Sequence, residues 1–479
     1  MSVMSLAASG VRKIAVRSGK KLKKKGPAPA IPEAQPARLR GEGFNAGFAR
    51  REAMPEDVTA KPYWMAGFKT GNRVTGVHDP MTVSAMWIGC GDGGILLASA
   101  DCIGLSRCEV MRVRNSLADF ARQANCQSIN ISCSHTHAGI DTLGYWGKAK
   151  VGPIPGDGKD ADFMDLFLGS IRDVCVEAYE NRREGKLYTG SVRVPEAVSD
   201  GRKPTVPRDV LGRIRFVPGD GSTETWLLNF GAHPNTLGKQ NTNVSADYPY
   251  YLREKINETK ETNVLFTAGA IASINAGGYG SGDRFERTVL QGETLAKAAL
   301  SIDNDEELAP EITVLCQPYY APIDNGVLAL MGLIKVINAE KYPCERGDLG
   351  VALQSELTYI RLGKQRILLL PGEMKPELAF GGYAPAETSA TARGPEINPP
   401  TLCEIAGDEN LLVFGVTNDM TGYILAPNDF VLHETEPYLG QCKDRNGTNH
   451  YHETNSLGCL TAETIADTFK KMMDAVKVK

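Results

Sequence analysis

Several features that place a protein in a class are missing from this chain. No apolar run approaches the roughly 18 residues that a membrane span requires, so nothing in it predicts a transmembrane helix. Its 11 cysteines form no CxxC pair and no framework spacing. That excludes a disulfide scaffold and predicts reduced thiols in a cytoplasmic protein. No repeat of the length used by solenoids or propellers is present. Histidine is scarce, with 7 in 479 residues. Acid is absent from the first 25 residues, where Arg12, Lys13, Arg17, Lys20, Lys21, Lys23, Lys24 and Lys25 stand. The formal charge of −4 becomes −12 once those eight cations are set aside, which argues against a nucleic-acid partner.

The basic segment lacks the apolar h-region of a secretory signal. Together with the Pro-rich "GPAPAIPEAQP" it predicts a solvated, disordered arm over residues 1–40. Weak contact of that arm with an anionic membrane surface is the functional alternative. Residues 41–479 are expected to form one large domain.

What is present alternates. "ILLASAD", "SINISCS", "TETWLLNFGAH", "NVLFTAG", "RILLLPGE" and "LLVFGVTN" are short apolar runs of strand character. Between them lie helical patterns: "SRCEVMRVRNSLADFARQAN" with Ser106 as N-cap, "DFMDLFLGSIRDVCVEAYENRREG" ending at a glycine, and "FERTVLQGETLAKAALSI". Asp160 or Asp162 in "DGKDAD" suits a helix N-cap. This predicts an α/β fold with mixed sheets flanked by helices.

The chemistry-bearing residues recur at the ends of the apolar runs. His135 and His137 follow "SINISCS", His233 follows "TWLLNFGA", Ser273 follows "FTAGAIA", Glu373 follows "RILLLPG", and Tyr423 comes soon after "LLVFGVTN". Carboxyl ends of neighbouring strands converge on one edge of an α/β fold, so these residues are expected to meet there. Imidazoles, a carboxylate and a phenol form an oxygen–nitrogen donor set suited to zinc. In the HxH, positions two apart in an extended segment face the same side. "NAGGYGSG" has neither GxGxxG nor Walker A spacing and predicts a rim loop. His450 and His452 in "NHYHETN" are expected to be solvated loop residues.

The ordered segments "SCSHTHAG", "NFGAHPNTL", "SADYPYY", "AIASIN", "LLLPGE" and "TNDMTGY" resemble the catalytic domain of the neutral, non-lysosomal ceramidases, from about residue 44 to about residue 460. Those are zinc-dependent amidases acting on N-acyl sphingoid bases. The resemblance implies zinc ligands His135, His233, Glu373 and Tyr423, with His137 facing the substrate. It also implies a substrate-contacting Arg202 and an active-site Ser273. The chain departs from the family pattern at Ile271 and Ile274, where the family has an acid and a proline, and at "IDTLGYWG" after Gly139. No export signal and no further C-terminal domain are legible. These departures predict a small or weakly amphiphilic N-acyl amide in preference to long-chain ceramide, with Tyr145, Trp146 and Tyr279 near the mouth. Ester or lactone cleavage on the same metal, and a metal-stabilised binding protein without activity, are both compatible with the same residues. The oligomeric state is not legible.

Overall fold

The computed structural model describes residues 3–151, 154–277, 282–333 and 339–477. Tyr279 and the middle of "NAGGYGSG" lie outside them.

Two mixed sheets stack face to face. In the larger, the strands run in the order Asn263–Ala268, Thr225–Phe230, Val210–Pro218, Arg183–Arg193, Phe44–Glu52, Thr82–Cys90, Gly93–Ala100 and Cys126–Cys133. The smaller runs Ala37–Arg40, Glu311–Ile323, Val351–Leu362, Gln365–Leu369 and Leu412–Phe414. Phe44, Ile88 and Leu227 of the first interdigitate with Ile312, Ile360 and Phe414 of the second, which closes a dry core between the sheets. Thr82–Cys90 and Gly93–Ala100 are buried along their whole length, so their apolar residues run on instead of alternating.

Helices cover both outer faces. Ala161–Glu180 presents Phe163, Phe167 and Ile171 to the larger sheet, and Tyr248–Thr259 packs there with Arg284–Leu300. Leu460–Lys477 lays Ile465 and Phe469 on the smaller sheet. The order of layers is helix, sheet, sheet, helix, an α/β fold with mixed sheets flanked by helices. No helix of the described residues is long and apolar enough to cross a membrane.

Local structure departs from the sequence pattern at instructive places. Asp160 does cap its helix, accepting from the Phe163 amide at 2.9 Å. That helix stops at Glu180 and not at Gly185, because Gly185 already pairs with Pro218 in the sheet. The segment after Ser106 is two helices, Arg107–Ser116 and Ala118–Gln123, and the Ser106 side chain makes no cap bond. The expected disordered arm contains a helix, Val3–Lys23, with Ala8 and Ala15 buried, while Ala37–Arg40 joins the smaller sheet. Three small residues explain the helix: Ala8, Ala15 and Gly19 let its backbone approach the body, and a Cβ at Gly19 would lie 1.9 Å from the Leu349 carbonyl oxygen.

Candidate metal centre and its cavity

The site is built where strand ends from both sheets come together. Cys126–Cys133 and Asn263–Ala268 stand at opposite ends of the larger sheet's order, yet that sheet curls until they approach: Ser99, one strand in, donates to the Phe266 carbonyl. The smaller sheet is fastened to the same edge. The Asn418 side chain accepts from the Ile131 amide at 2.9 Å, and Asn229 donates to the Val413 carbonyl at 3.1 Å. Leaving the strands at this edge requires sharp turns. His135, Ser273 and Asn418 all adopt positive φ (68°, 63° and 65°), a conformation that L residues occupy at a cost of about 1–3 kcal/mol. Gly372, at φ 146°, turns the chain so that Glu373–Met374 runs parallel to Tyr423–Ile424. Glu373 and Tyr423 are thereby register partners.

Five of the expected side chains come together. His233 Nε2 lies 2.8 Å and His135 Nε2 3.3 Å from the same Glu373 oxygen, Oε2. His137 Nε2 lies 3.3 Å from His135 Nε2, and ligand atoms of His135, His137 and His233 all fall within 4.8 Å of one another. Tyr423 stands beside Glu373 as its register partner, with its ring edge-on to Tyr451 at 6.4 Å between centroids.

The tautomers tell what this group is for. His135 Nδ1 faces the Ile103 carbonyl at 2.6 Å, and His233 Nδ1 faces the Ile274 carbonyl at 2.9 Å. A carbonyl only accepts, so each Nδ1 carries the proton and each Nε2 presents a lone pair. Two lone pairs and a carboxylate oxygen then point at each other in a buried space, an arrangement satisfied by a cation. Carbonyls behind metal-bound imidazoles fix ligands in this way. The donor set is able to hold a metal ion, with His135, His233 and Glu373 turned toward one point.

Electrostatics follow from burial. Burial would raise the Glu373 carboxyl, but His135 and His233 outweigh it and hold it well below its usual range. Burial, reinforced by Glu373 and Tyr451, pushes the Tyr423 phenol well up, so without a cation it is a neutral donor. Burial, reinforced by His135 and His233 beside it, pulls His137 far below the usual imidazole value. His137 packs edge-on against Phe68, 5.0 Å between ring centroids, with its ring against Gly67.

A cavity of about 740 Å³ opens over the group. His135, His137, Glu373 and Tyr423 form its floor, and Tyr145 and Trp146 are on its wall. Ile103, Met111, Leu143, Leu328, Met331 and Leu353 make most of the remainder apolar.

Two expected participants stand behind the site and not in the cavity wall. Ser273 donates to Asp200 at 2.8 Å and accepts from the buried Lys375 at 2.8 Å. Its hydroxyl is therefore committed, and it acts through its neighbour Ile274, whose carbonyl orients His233. Arg202 is buried and fully engaged, by Asp429 at 2.7 Å, Glu453 at 2.7 Å, and the rings of His450 and His452. A guanidinium so paired is not available to a substrate. His450 and His452 are correspondingly buried, at 1% and 3% exposure, and are not solvated loop residues. Sequence reading missed Lys375, Asp200 and Tyr451. Lys375 alone left a trace, two residues after Glu373 in "PGEMK".

No family model matches this chain, and no curated protein does. Solved structures do. The chain is similar to neutral ceramidase from Pseudomonas aeruginosa with a TM-score of 0.66 and 14% identity, over 91% of this chain and 75% of that one. It is similar to a ceramidase complexed with C2 with a TM-score of 0.64 and 13% identity, over 91% and 76%. At such identities the likeness is one of architecture: the chain has a neutral ceramidase-like fold, with a buried histidine group able to hold a metal ion.

Proposed function

We propose that this protein is a zinc-dependent hydrolase that cleaves the amide bond of a small or weakly amphiphilic N-acyl compound. The observation that carries the reading is the convergence of His135, His233 and Glu373, lone pairs inward, on the floor of an apolar cavity. A zinc ion there would supply Lewis acidity, polarising the amide carbonyl and lowering the pKa of water.

The chain's own residues do the rest. His137, kept neutral and facing the cavity, takes the proton of the attacking water at Nε2 and returns it to the departing amine nitrogen. The Tyr423 hydroxyl, a donor on the same floor, stabilises negative charge as it develops on the carbonyl oxygen. Ile103 and Ile274 carbonyls hold the two imidazoles in their reactive tautomer. The apolar wall binds the acyl group and excludes water, and its volume lies within the range of about 300–1,000 Å³ usual for small-molecule sites.

The test is kcat/KM for a short N-acyl amide, its ester analogue and long-chain ceramide in detergent, together with the metal content of two variants. We expect the short amide to be turned over fastest. His233→Ala should lose its zinc; His137→Ala should keep it and lose about 100-fold or more in turnover. Zinc retained in His233→Ala would refute the metal assignment, and a tenfold preference for ceramide would refute the substrate class.

A further inference from the structure

The wall of the cavity opposite Tyr145 and Trp146 in sequence is built late in the chain, and the N-terminal helix backs it. Helix Gly326–Leu333 contributes Leu328 and Met331 to the cavity, and Lys341–Pro343 contributes Lys341 and Tyr342. Val3–Lys23 packs on both. A Cβ on Gly326 would lie 3.5 Å from Val11 and Arg12, and Arg12 pairs with Asp348 at 2.6 Å while Lys23 pairs with Glu345 at 3.2 Å. One face of the helix is thus consumed by docking.

The other face is different. At about 3.6 residues per turn, Lys13, Arg17, Lys20, Lys21 and Lys24 fall on one side. All are exposed, as is Lys25 just beyond, and among the described residues none of the six forms an ion pair. Ile14, at the edge of this face, is 47% exposed, and Leu333 at the end of the wall helix is 39% exposed. Unpaired cations held in a row repel one another, and exposed aliphatic side chains gain nothing from water. Both costs are relieved by the same partner, an anionic surface with an apolar interior.

We propose that the outer face of helix Val3–Lys23 docks on an anionic lipid surface. Each basic side chain near such a surface contributes about 1 kcal/mol, and Ile14 adds apolar insertion. A nucleic acid answers the cations but has no use for the exposed Ile14. Docking brings the cavity wall within one helix diameter, about 10–12 Å, of the lipid. On the reading that the cavity takes an amphiphilic amide, this positions it to receive substrate from the interface.

The experiment is co-sedimentation of the full chain with vesicles of phosphatidylcholine, with and without phosphatidylglycerol. The variant carries Lys13→Gln, Arg17→Gln, Lys20→Gln and Lys21→Gln, all at exposed, unpaired positions. Metal content and turnover of a soluble N-acyl amide serve as its folding control. We expect binding to the anionic vesicles alone, weakened at least tenfold in the variant and by added salt. Equal binding to both vesicles, no binding, undiminished binding by the variant, or tighter binding to duplex DNA at the same salt would each overturn the proposal. Vesicle binding needs no turnover, so an inactive protein that still docks would count against the hydrolase reading alone.

Discussion

Arg202 and Glu453 illustrate how far a residue's chemistry depends on its neighbours. The arginine was expected to meet substrate; instead its guanidinium is divided between two carboxylates and two imidazoles. Burial would raise the Glu453 carboxyl, but His450 and Arg202 reverse this and hold it at about 2. Removing one partner of a buried pair leaves an uncompensated charge, so Glu453→Gln should cost about 3–5 kcal/mol at neutral pH. The sign with pH follows from the lowered pKa. The stabilisation is complete above the ordinary value of 4.5 and is lost as pH falls from there toward about 2. Urea titrations of the wild type and Glu453→Gln should therefore differ most near neutrality and converge on acidification. A gap that widened in acid would contradict this account. His135, His137, His233, Glu373 and Tyr423 were legible because each follows an apolar run, and a strand end predicts direction. Arg202 and Ser273 were not, because which partner occupies a polar side chain is decided by distant segments: Asp429 and Glu453 for one, Asp200 and Lys375 for the other.

At the scale of elements, the strands do less for the site than the turns that leave them. Gly372 is the clearest case. Its φ of 146° suits glycine, and a Cβ there would lie 2.6 Å from the Gly422 carbonyl oxygen, which sits on the segment carrying Tyr423. Gly372→Ala should thus push apart the Glu373 and Tyr423 segments. We expect a folded protein, destabilised by about 1–3 kcal/mol, whose zinc affinity falls by at least tenfold. Isothermal titration with zinc checks this; unchanged affinity would show that the turn does not set the ligand spacing. The "PGE" segment announced this element in the sequence. The N-terminal helix was read as a disordered arm because eight cations without an acid outweigh its short apolar positions in any local count. Its partners, Leu349 and the Gly326–Leu333 helix, lie more than 300 residues away.

At the scale of the molecule, the two sheets supply different halves of the site. His135 and His233 leave the larger sheet, Glu373 and Tyr423 the smaller. A bound ion therefore ties the layers together, and its binding energy adds to folding stability: about 4 kcal/mol when free metal stands at about 1,000 times its Kd. Chelation should lower the thermal midpoint by several degrees, zinc should restore it, and His233→Ala should show neither response. A wild-type midpoint indifferent to chelator would mean that the ion does not clamp the sheets. What the sequence alone determined is the α/β class and which chemistry-bearing residues stand at the ends of its apolar runs, because hydrophobic periodicity and residue type are local properties written along the chain. What only the tertiary structure decided is which donors meet, which polar groups are already spent, and what backs the cavity. Those depend on a sheet that curls until its two ends approach and on a second sheet laid against it, contacts between residues hundreds of positions apart that no local pattern encodes.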